Sequence, residues 1–454
     1  MRLTLLNLTT DSILYRPIND AQQITLGAKS TTTAELPIGS QIALFNSESV
    51  LHKESNEWPI RTGAAVLRLP LVTNARFKSL SVPDEYPWRV YIGRVTQMHQ
   101  RLIILPRRNL DSFLADMPDT LPLSSLCLPG LEFCVERVGF IHEFNSMAFY
   151  GWPISQCQVL STPLATQLRS GIRVLDIRLA IVNSRLIAYH GAYPQRTSFQ
   201  EILSTIHTFL TAPSTSRETI VMSIKQEDFA TKSVSAFSSL VHEEIFNGPG
   251  GRDMWYFQNR IPTLGEVRGK VILFSRFGGN GDGWEHGLEG LGIHPSTWPD
   301  SAKFGFSWQC KGTLVRTHDW YNIPSFLAIP EKLLLATQIL LPPPNNPPAP
   351  VLSITFMSAA SFPLAFPPLV ATGFGWPMVG LGVEGVNSRF AAWLLDLLGE
   401  DSSDSTSIDE KPGLDGPRIR GWVFLDFYSS PDPGLVPLLV ECNYRGRQSG
   451  EEGW

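Results

Sequence analysis

The chain has 454 residues, 37 Lys and Arg against 42 Asp and Glu, a net charge of −5 and a pI near 6.0. That length exceeds one ordinary core and predicts two domains, one of them large. The mild acidity excludes the basic field that a nucleic-acid partner requires, and without a Lys/Arg cluster for acidic lipid any membrane contact must be local and partly apolar.

The first residues, Met1 to Leu8, break into Thr9-Thr10-Asp11-Ser12 before a signal-peptide core can form, and no run approaches the ~20 apolar residues of a membrane span. A cytoplasmic protein is therefore expected. From Met1 to about Asp111, short alternating runs (Ser12 to Tyr15, Gln41 to Phe45, Trp88 to Val95, Arg101 to Leu105) are separated by polar turns. This pattern predicts a small antiparallel β-sandwich over residues 1–115. Asp116-Met117-Pro118-Asp119 reads as the boundary.

Residues 116–454 change to a strand, helix, strand order. Gly171-Ile172-Arg173-Val174-Leu175-Asp176-Ile177-Arg178, Leu186 to Gly191 and Thr219 to Glu227 read as strands that carry charged or histidine side chains at their ends. Ser198 to Leu210 predicts a helix with a Ser198/Glu201 capping box and an apolar face of Phe199, Ile202, Leu203, Ile206 and Leu210. Its place between the His190 strand and the Ile220 strand predicts a right-handed parallel crossover. Further helices are expected over Val234 to Ile245 and Ser388 to Leu398. Later strands end in Arg276, Ser358 and Asp426. The fold class is therefore α/β, a TIM-type barrel preceded by the all-β domain, and Asp176, Arg178, His190 and Lys225 converge on one mouth.

Two stretches read as irregular: Leu341 to Pro350, with its prolines, and Phe362 to Gly380, rich in Phe, Pro and Gly. The second is either an apolar loop packed over the barrel or a rim that dips into a bilayer interface. The Trp284 and Trp298 loop is likewise either a lipid contact or a packed lid. Cys127, Cys134, Cys157, Cys310 and Cys442 lack the paired spacing of a zinc site and read as structural thiols of a reducing compartment.

Six segments in order carry a family resemblance. They are the Arg178, His190 and Lys225 strands, Gly269 to Arg276, Asp319-Trp320-Tyr321 and Gly421 to Asp426. From about Leu121 to Cys442 the chain resembles the bacterial-type phosphatidylinositol-specific phospholipases C and their fungal relatives. The resemblance implies cleavage of phosphatidylinositol-type lipid at a transient membrane surface, by acid/base chemistry and without a cofactor. It makes His190 the general acid, Arg178 the phosphate clamp and Asp426 the partner of the base histidine. Arg276 and Asp319 would bond the inositol hydroxyls, Tyr321 would stack on the ring, and Lys225 would line the pocket near the phosphate. An arginine at position 178 supplies a fixed cation where calcium-dependent relatives hold a metal, so no metal is expected. Asp176 either orients Arg178 or forms a purely structural ion pair with it.

The first histidine motif of that family, Gly-Thr-His followed by Asp or Asn and Ser, is disrupted. Leu128-Pro129-Gly130 resembles its beginning and Asn145-Ser146 its continuation, with Leu131 to Phe144 between them. The nearest histidine, His142, stands two positions early, a displacement of ~7 Å along a strand. Either Leu131 to Phe144 is an inserted segment, or a rearrangement lets His142 serve as base. Asn145, a neutral amide, would orient the acid histidine without raising its pKa electrostatically. The opposing reading is a catalytically silent phosphoinositide- or membrane-binding module on the same barrel.

Overall fold

The computed structural model describes residues 1–17, 23–37, 40–46, 64–68, 76–132, 163–190, 193–228, 230–278, 292–343, 350–361, 365–377, 381–399 and 418–446. Nine strands come first: β1 (Arg2–Asn7), β2 (Ile13–Pro17), β3 (Ile24–Leu26), β4 (Ser30–Glu35), β5 (Gln41–Asn46), β6 (Ala64–Arg68), β7 (Lys78–Leu80), β8 (Trp88–Thr96) and β9 (His99–Pro106). They form two sheets, ordered β4-β1-β9-β8-β7 and β3-β2-β5-β6.

Between the sheets, Leu3, Leu5, Val90, Ile92, Leu102 and Ile104 meet Ile13, Tyr15, Ile42 and Leu44. The intervening Leu6, Tyr91, Ile103 and Leu105 point the other way and join the core of the following barrel. A sheet covered on both faces needs nearly continuous apolar strands, and Leu102-Ile103-Ile104-Leu105 is one. The expected alternation is therefore incomplete in the strands nearest the barrel.

The segment expected as a boundary is packed rather than free. Fully buried Arg173 donates to Leu110 O (3.2 Å) and Asp111 O (2.7 Å), and its Nε meets Glu218 Oε2 at 2.7 Å. Glu218 in turn accepts from Leu114 N, while Arg268 donates to Leu114 O and Met117 O at 2.6 Å each.

The rest of the chain supplies β10 (Cys127–Glu132), α1 (Leu164–Arg169), β11 (Val174–Val182), β12 (Arg185–His190), β13 (Tyr193–Ser198), α2 (Phe199–Thr211), β14 (Ile220–Gln226) and α3 (Val234–Phe246). There follow β15 (Trp255–Tyr256), β16 (Val271–Arg276), β17 (Phe306–Cys310), β18 (Thr313–His318), α4 (Ile329–Gln338) and β19 (Val351–Phe356). The last elements are α5 (Pro367–Thr372), β20 (Gly373–Trp376), β21 (Leu381–Glu384), α6 (Val386–Gly399), β22 (Gly421–Leu425) and α7 (Leu435–Glu441). The main sheet runs β15-β16-β14-β11-β10-β22-β19-β18-β17, parallel throughout except for the last pair. It curls on a packed interior in which Phe274 of β16 meets Trp422 of β22 and Phe356 stacks on Phe424 at 4.2 Å. Among the described residues the two sheet edges share no strand ladder. Side chains span the seam instead, with Trp308 stacked on Phe274 and Cys310 Sγ 3.5 Å from Asn259 Oδ1.

The Ser198/Glu201 capping box forms and α2 buries the expected face. Its strand context differs from the expectation. β12 is not a parallel stave but pairs antiparallel with the far half of β11. Asn183 and Ser184 both have positive φ (50° and 58°), the requirement of a two-residue hairpin turn, so the chain reverses before α2 and only then returns in β14. The Phe362 to Gly380 stretch, expected to be irregular, contains α5 and β20, which pairs in a two-stranded ribbon with β21 just beyond it. Proline at the start of α5 is compatible with a helix because the first N–H groups lack intrahelical partners. Cys127, Cys310 and Cys442 are free and buried. Among the described residues no helix is long and apolar enough to cross a membrane.

Candidate active site

Parallel register builds the site. Asp176 on β11 lies level with Ser223 on β14, and Ser223 with Phe274 on β16. Two residues onward, Arg178, Lys225 and Arg276 form the next row across the same three strands. Side chains two apart share a face, so the cation row sits directly above the Asp176 row.

Three cations on neighbouring strands repel unless countered. Asp176, fully buried, accepts from Arg178 Nε at 3.2 Å, Arg276 Nη1 at 3.0 Å and Ser223 Oγ at 2.7 Å. Glu227 adds a second anion, 3.4 Å from Arg178 Nη1. Burial alone pushes the Asp176 carboxyl up, but Arg276, Arg178, the Ser223 hydroxyl and Lys225 together hold it below the usual carboxylate range. For Lys225, burial and then the neighbouring Arg178 and Arg276 lower its pKa, only partly opposed by Glu227 and Asp176.

Arg276 links this row to a second cluster. Its Nη2 lies 3.8 Å from Asp319 Oδ2, and its guanidinium stands 4.0 Å from the centroid of the Trp298 ring. Trp298 Nε1 donates to the same Asp319 oxygen at 2.8 Å. Arg276 Nε is buried with no hydrogen-bond partner among the described residues. Tyr321 follows at the rim, exposed, with its hydroxyl donating to Asp300 Oδ1 at 2.5 Å. That hydrogen bond, and secondarily burial, pushes the phenol up to about 12.

Of the site residues expected from sequence, Asp176, Arg178, Lys225, Arg276 and Asp319 come together, with Tyr321 close by. His190 closes β12; its side chain lies outside the described residues, as do His142, Asn145 and Trp284. Asp426 directly follows β22, and its carbonyl accepts from Asn387 Nδ2 at 2.8 Å. Between the strands that lead to Asp176 and Asp426 runs β10, which brings Glu132 level with Asp176. Trp298 is neither rim nor lid but a wall, packed edge-on against Phe306 and Phe356.

Sequence reasoning missed Ser223, Glu227 and the tie between Trp298 and Asp319. Glu227 was legible in part, since it follows Lys225 by two and so shares its face. Trp298 was not, because its partners come from other strands. Among the described residues no three His, Cys, Asp or Glu side chains gather as metal ligands would.

Residues 152–277 match the family described as phosphatidylinositol-specific phospholipase C, X domain. A 1-phosphatidylinositol phosphodiesterase of Staphylococcus aureus (strain Newman) is 33% identical over 142 residues, covering 31% of this chain and 44% of that one. One of Listeria monocytogenes is 29% identical over 217 residues, 47% of this chain and 58% of that one. The chain thus spans about half the length of the curated relatives it matches. The solved Staphylococcus aureus phosphatidylinositol-specific phospholipase C superposes with a TM-score of 0.51 at 19% identity, covering 74% of this chain and 98% of that one. Over residues 152–277 this chain is thus similar to the phosphatidylinositol-specific phospholipase C X domain, and it shares the fold of the solved Staphylococcus aureus protein.

Proposed function

We propose that the chain cleaves phosphatidylinositol-type lipids to diacylglycerol and inositol 1,2-cyclic phosphate. The observation that carries this reading is the row of Arg178, Lys225 and Arg276 over Asp176, inside the segment that matches the X domain. In the reaction the inositol 2-hydroxyl oxygen attacks phosphorus and the bond from phosphorus to the glycerol oxygen breaks. Charge grows on the phosphoryl oxygens, where preformed cations act most strongly. Arg178 is the clamp, held by Asp176 and Glu227, and Lys225 adds charge beside it. Arg276 and Asp319 receive the inositol hydroxyls and Tyr321 covers the ring. His190 returns a proton to the departing alkoxide, a transfer typically worth ~10²- to 10⁴-fold. The base is His142, carried by the Leu131 to Phe144 segment and paired with Asp426. In this reading residues 116–454 are the catalytic unit, and residues 1–115 an accessory β-sandwich.

One observation favours a silent headgroup-binding module instead. Gly130 is followed by Leu131-Glu132 where the relatives carry Thr-His, so β10 brings a glutamate level with Asp176. The deciding experiment incubates the purified chain, in EDTA, with phosphatidylinositol vesicles and follows inositol 1,2-cyclic phosphate by phosphorus NMR beside His190→Ala. Cyclic product that vanishes in the variant supports the enzyme. Vesicle binding with no product rejects it in favour of the silent module.

A further inference from the structure

In the proposed reaction Asp426 partners the base, and the chain that follows it reaches α7 through residues 427–434. Phe427 holds a left-handed backbone (φ 48°), which a bulky residue keeps only where its surroundings fix it. Support comes from opposite sides. On one side stands Asn387, buried, the second residue of α6. Its Nδ2 lies 2.8 Å from Asp426 O, 3.1 Å from Phe427 O and 3.0 Å from Ser430 O, so one amide gathers three carbonyls of the loop.

On the other side stand the N-terminal sheets. Asp432 accepts from Ser79 N at 2.9 Å, from Ser79 Oγ at 2.5 Å and from Gly434 N at 2.8 Å. Ser79 is the middle residue of β7, level with Tyr91 of β8. Gly434 presses on the same sheet: a Cβ added there would stand 2.8 Å from Tyr91 Cε1 and 3.0 Å from Phe77 Cζ. Between these contacts the junction is open. A cleft of about 980 Å³ is lined by Lys78 and Arg94 from the sheet and by Ser388, Pro431 and Asp432 from the barrel. Pro431 and Asp432 thus face open space on one side, and hydrogen bonds rather than packing set their place.

We propose that the N-terminal sheets are a positioning element: through Ser79 and Asp432, with Asn387 opposite, they hold the loop that begins at Asp426 and so set that carboxylate for its pairing with the base. This rests on the reaction proposed above. Ser79, Asp432 and Asn387 act through Asp426 and not on the lipid, and a misplacement of ~1 Å can cost ~10²-fold in rate.

The test is steady-state cleavage by the full chain of a short-chain phosphatidylinositol kept below its micelle-forming concentration, with hydrogen exchange across residues 427–434 followed by mass spectrometry. Asp432→Ala should lower kcat at least about ten-fold with KM within about two-fold, because Arg276, Asp319 and Tyr321 still hold the ring. Ser79→Ala keeps the backbone donor to Asp432 and should lose only about three-fold, while Ser79→Thr, which keeps the hydroxyl, should match the parent. Added to Asp426→Asn, Asp432→Ala should cost less than about two-fold more, since residues that act through one group are not additive. Exchange across the loop should quicken at least about ten-fold in Asp432→Ala. Parental kcat in Asp432→Ala, or its full loss repeated on top of Asp426→Asn, overturns the proposal. Parental activity of Asp426→Asn removes that carboxylate from the reaction and the proposal with it. A parent chain that cleaves nothing refutes the reaction, and exchange then decides the support: unchanged exchange in Asp432→Ala overturns it as well, and quickened exchange leaves the sheets as holders of the loop.

Discussion

Arg276 Nη1 and Asp176 Oδ1 lie 3.0 Å apart across 100 residues of sequence, on strands separated by β14. The bond passes over Ser223, whose hydroxyl donates to the same oxygen. Asp176 is thus the common anion beneath two arginines and beside a lysine, and it makes a cluster of three cations tolerable in a partly buried mouth.

Asp176→Asn keeps the shape and removes the charge. Unfolding free energy should fall by about 3 kcal/mol near neutral pH, the scale of a broken buried pair. Because the folded carboxyl titrates below its unfolded value, its stabilisation is present above roughly pH 4 and is lost as pH falls through the folded pKa. The gap in urea midpoint between parent and variant should therefore be constant from pH 6 to 8 and close on acidification below roughly pH 4. A gap that persists in acid would locate the effect elsewhere.

Lys225→Met should separate stability from activity. Burial and two arginines disfavour its charge, so removing it should leave the melting temperature unchanged or raise it slightly, while kcat/KM toward phosphatidylinositol falls by about ten-fold or more. Equal losses of both would show that Lys225 serves the fold rather than the phosphate.

Tyr321 offers a contrast of two substitutions. Tyr321→Phe loses only the bond to Asp300 and should retain activity within about three-fold, whereas Tyr321→Ala loses the exposed ring face and should raise KM by about ten-fold. Steady-state kinetics on the two variants decide it; a more damaging Phe than Ala would make the hydroxyl the functional part.

Arg173→Met tests the packed boundary. It leaves Glu218 buried without its cation, so a loss of about 3–5 kcal/mol is expected. New cleavage by trypsin or endoproteinase near residues 108–119 should accompany it, because Leu110 and Asp111 lose their donor. A stable variant with no new cleavage would mean the segment is held by its apolar residues alone.

The relation between residue pattern and structure was uneven along the chain. The α2 helix was legible because the capping box and the apolar face are local properties that need no partner. The hairpin of β11 and β12 was not, because an apolar strand pattern looks the same whether the strand is a stave or an excursion. Only the positive φ of Asn183 and Ser184 reveals the reversal. The ribbon that begins in the Phe-, Pro- and Gly-rich stretch was hidden for a related reason, since β20 and β21 are short and take their pairing from each other.

In the site, the sequence by itself determined which charges arrive at strand ends: Asp176, Arg178, Lys225 and Arg276 can be named from periodicity, whereas Asp319 was named only through the family resemblance. Tertiary structure alone decided that Arg178, Lys225 and Arg276 stand in one row, that Asp176 serves both arginines, and that Trp298 rather than solvent holds Asp319. Periodicity reports which side of a strand a residue takes. Register between strands is set by the packing of side chains from distant segments, and no local pattern encodes it.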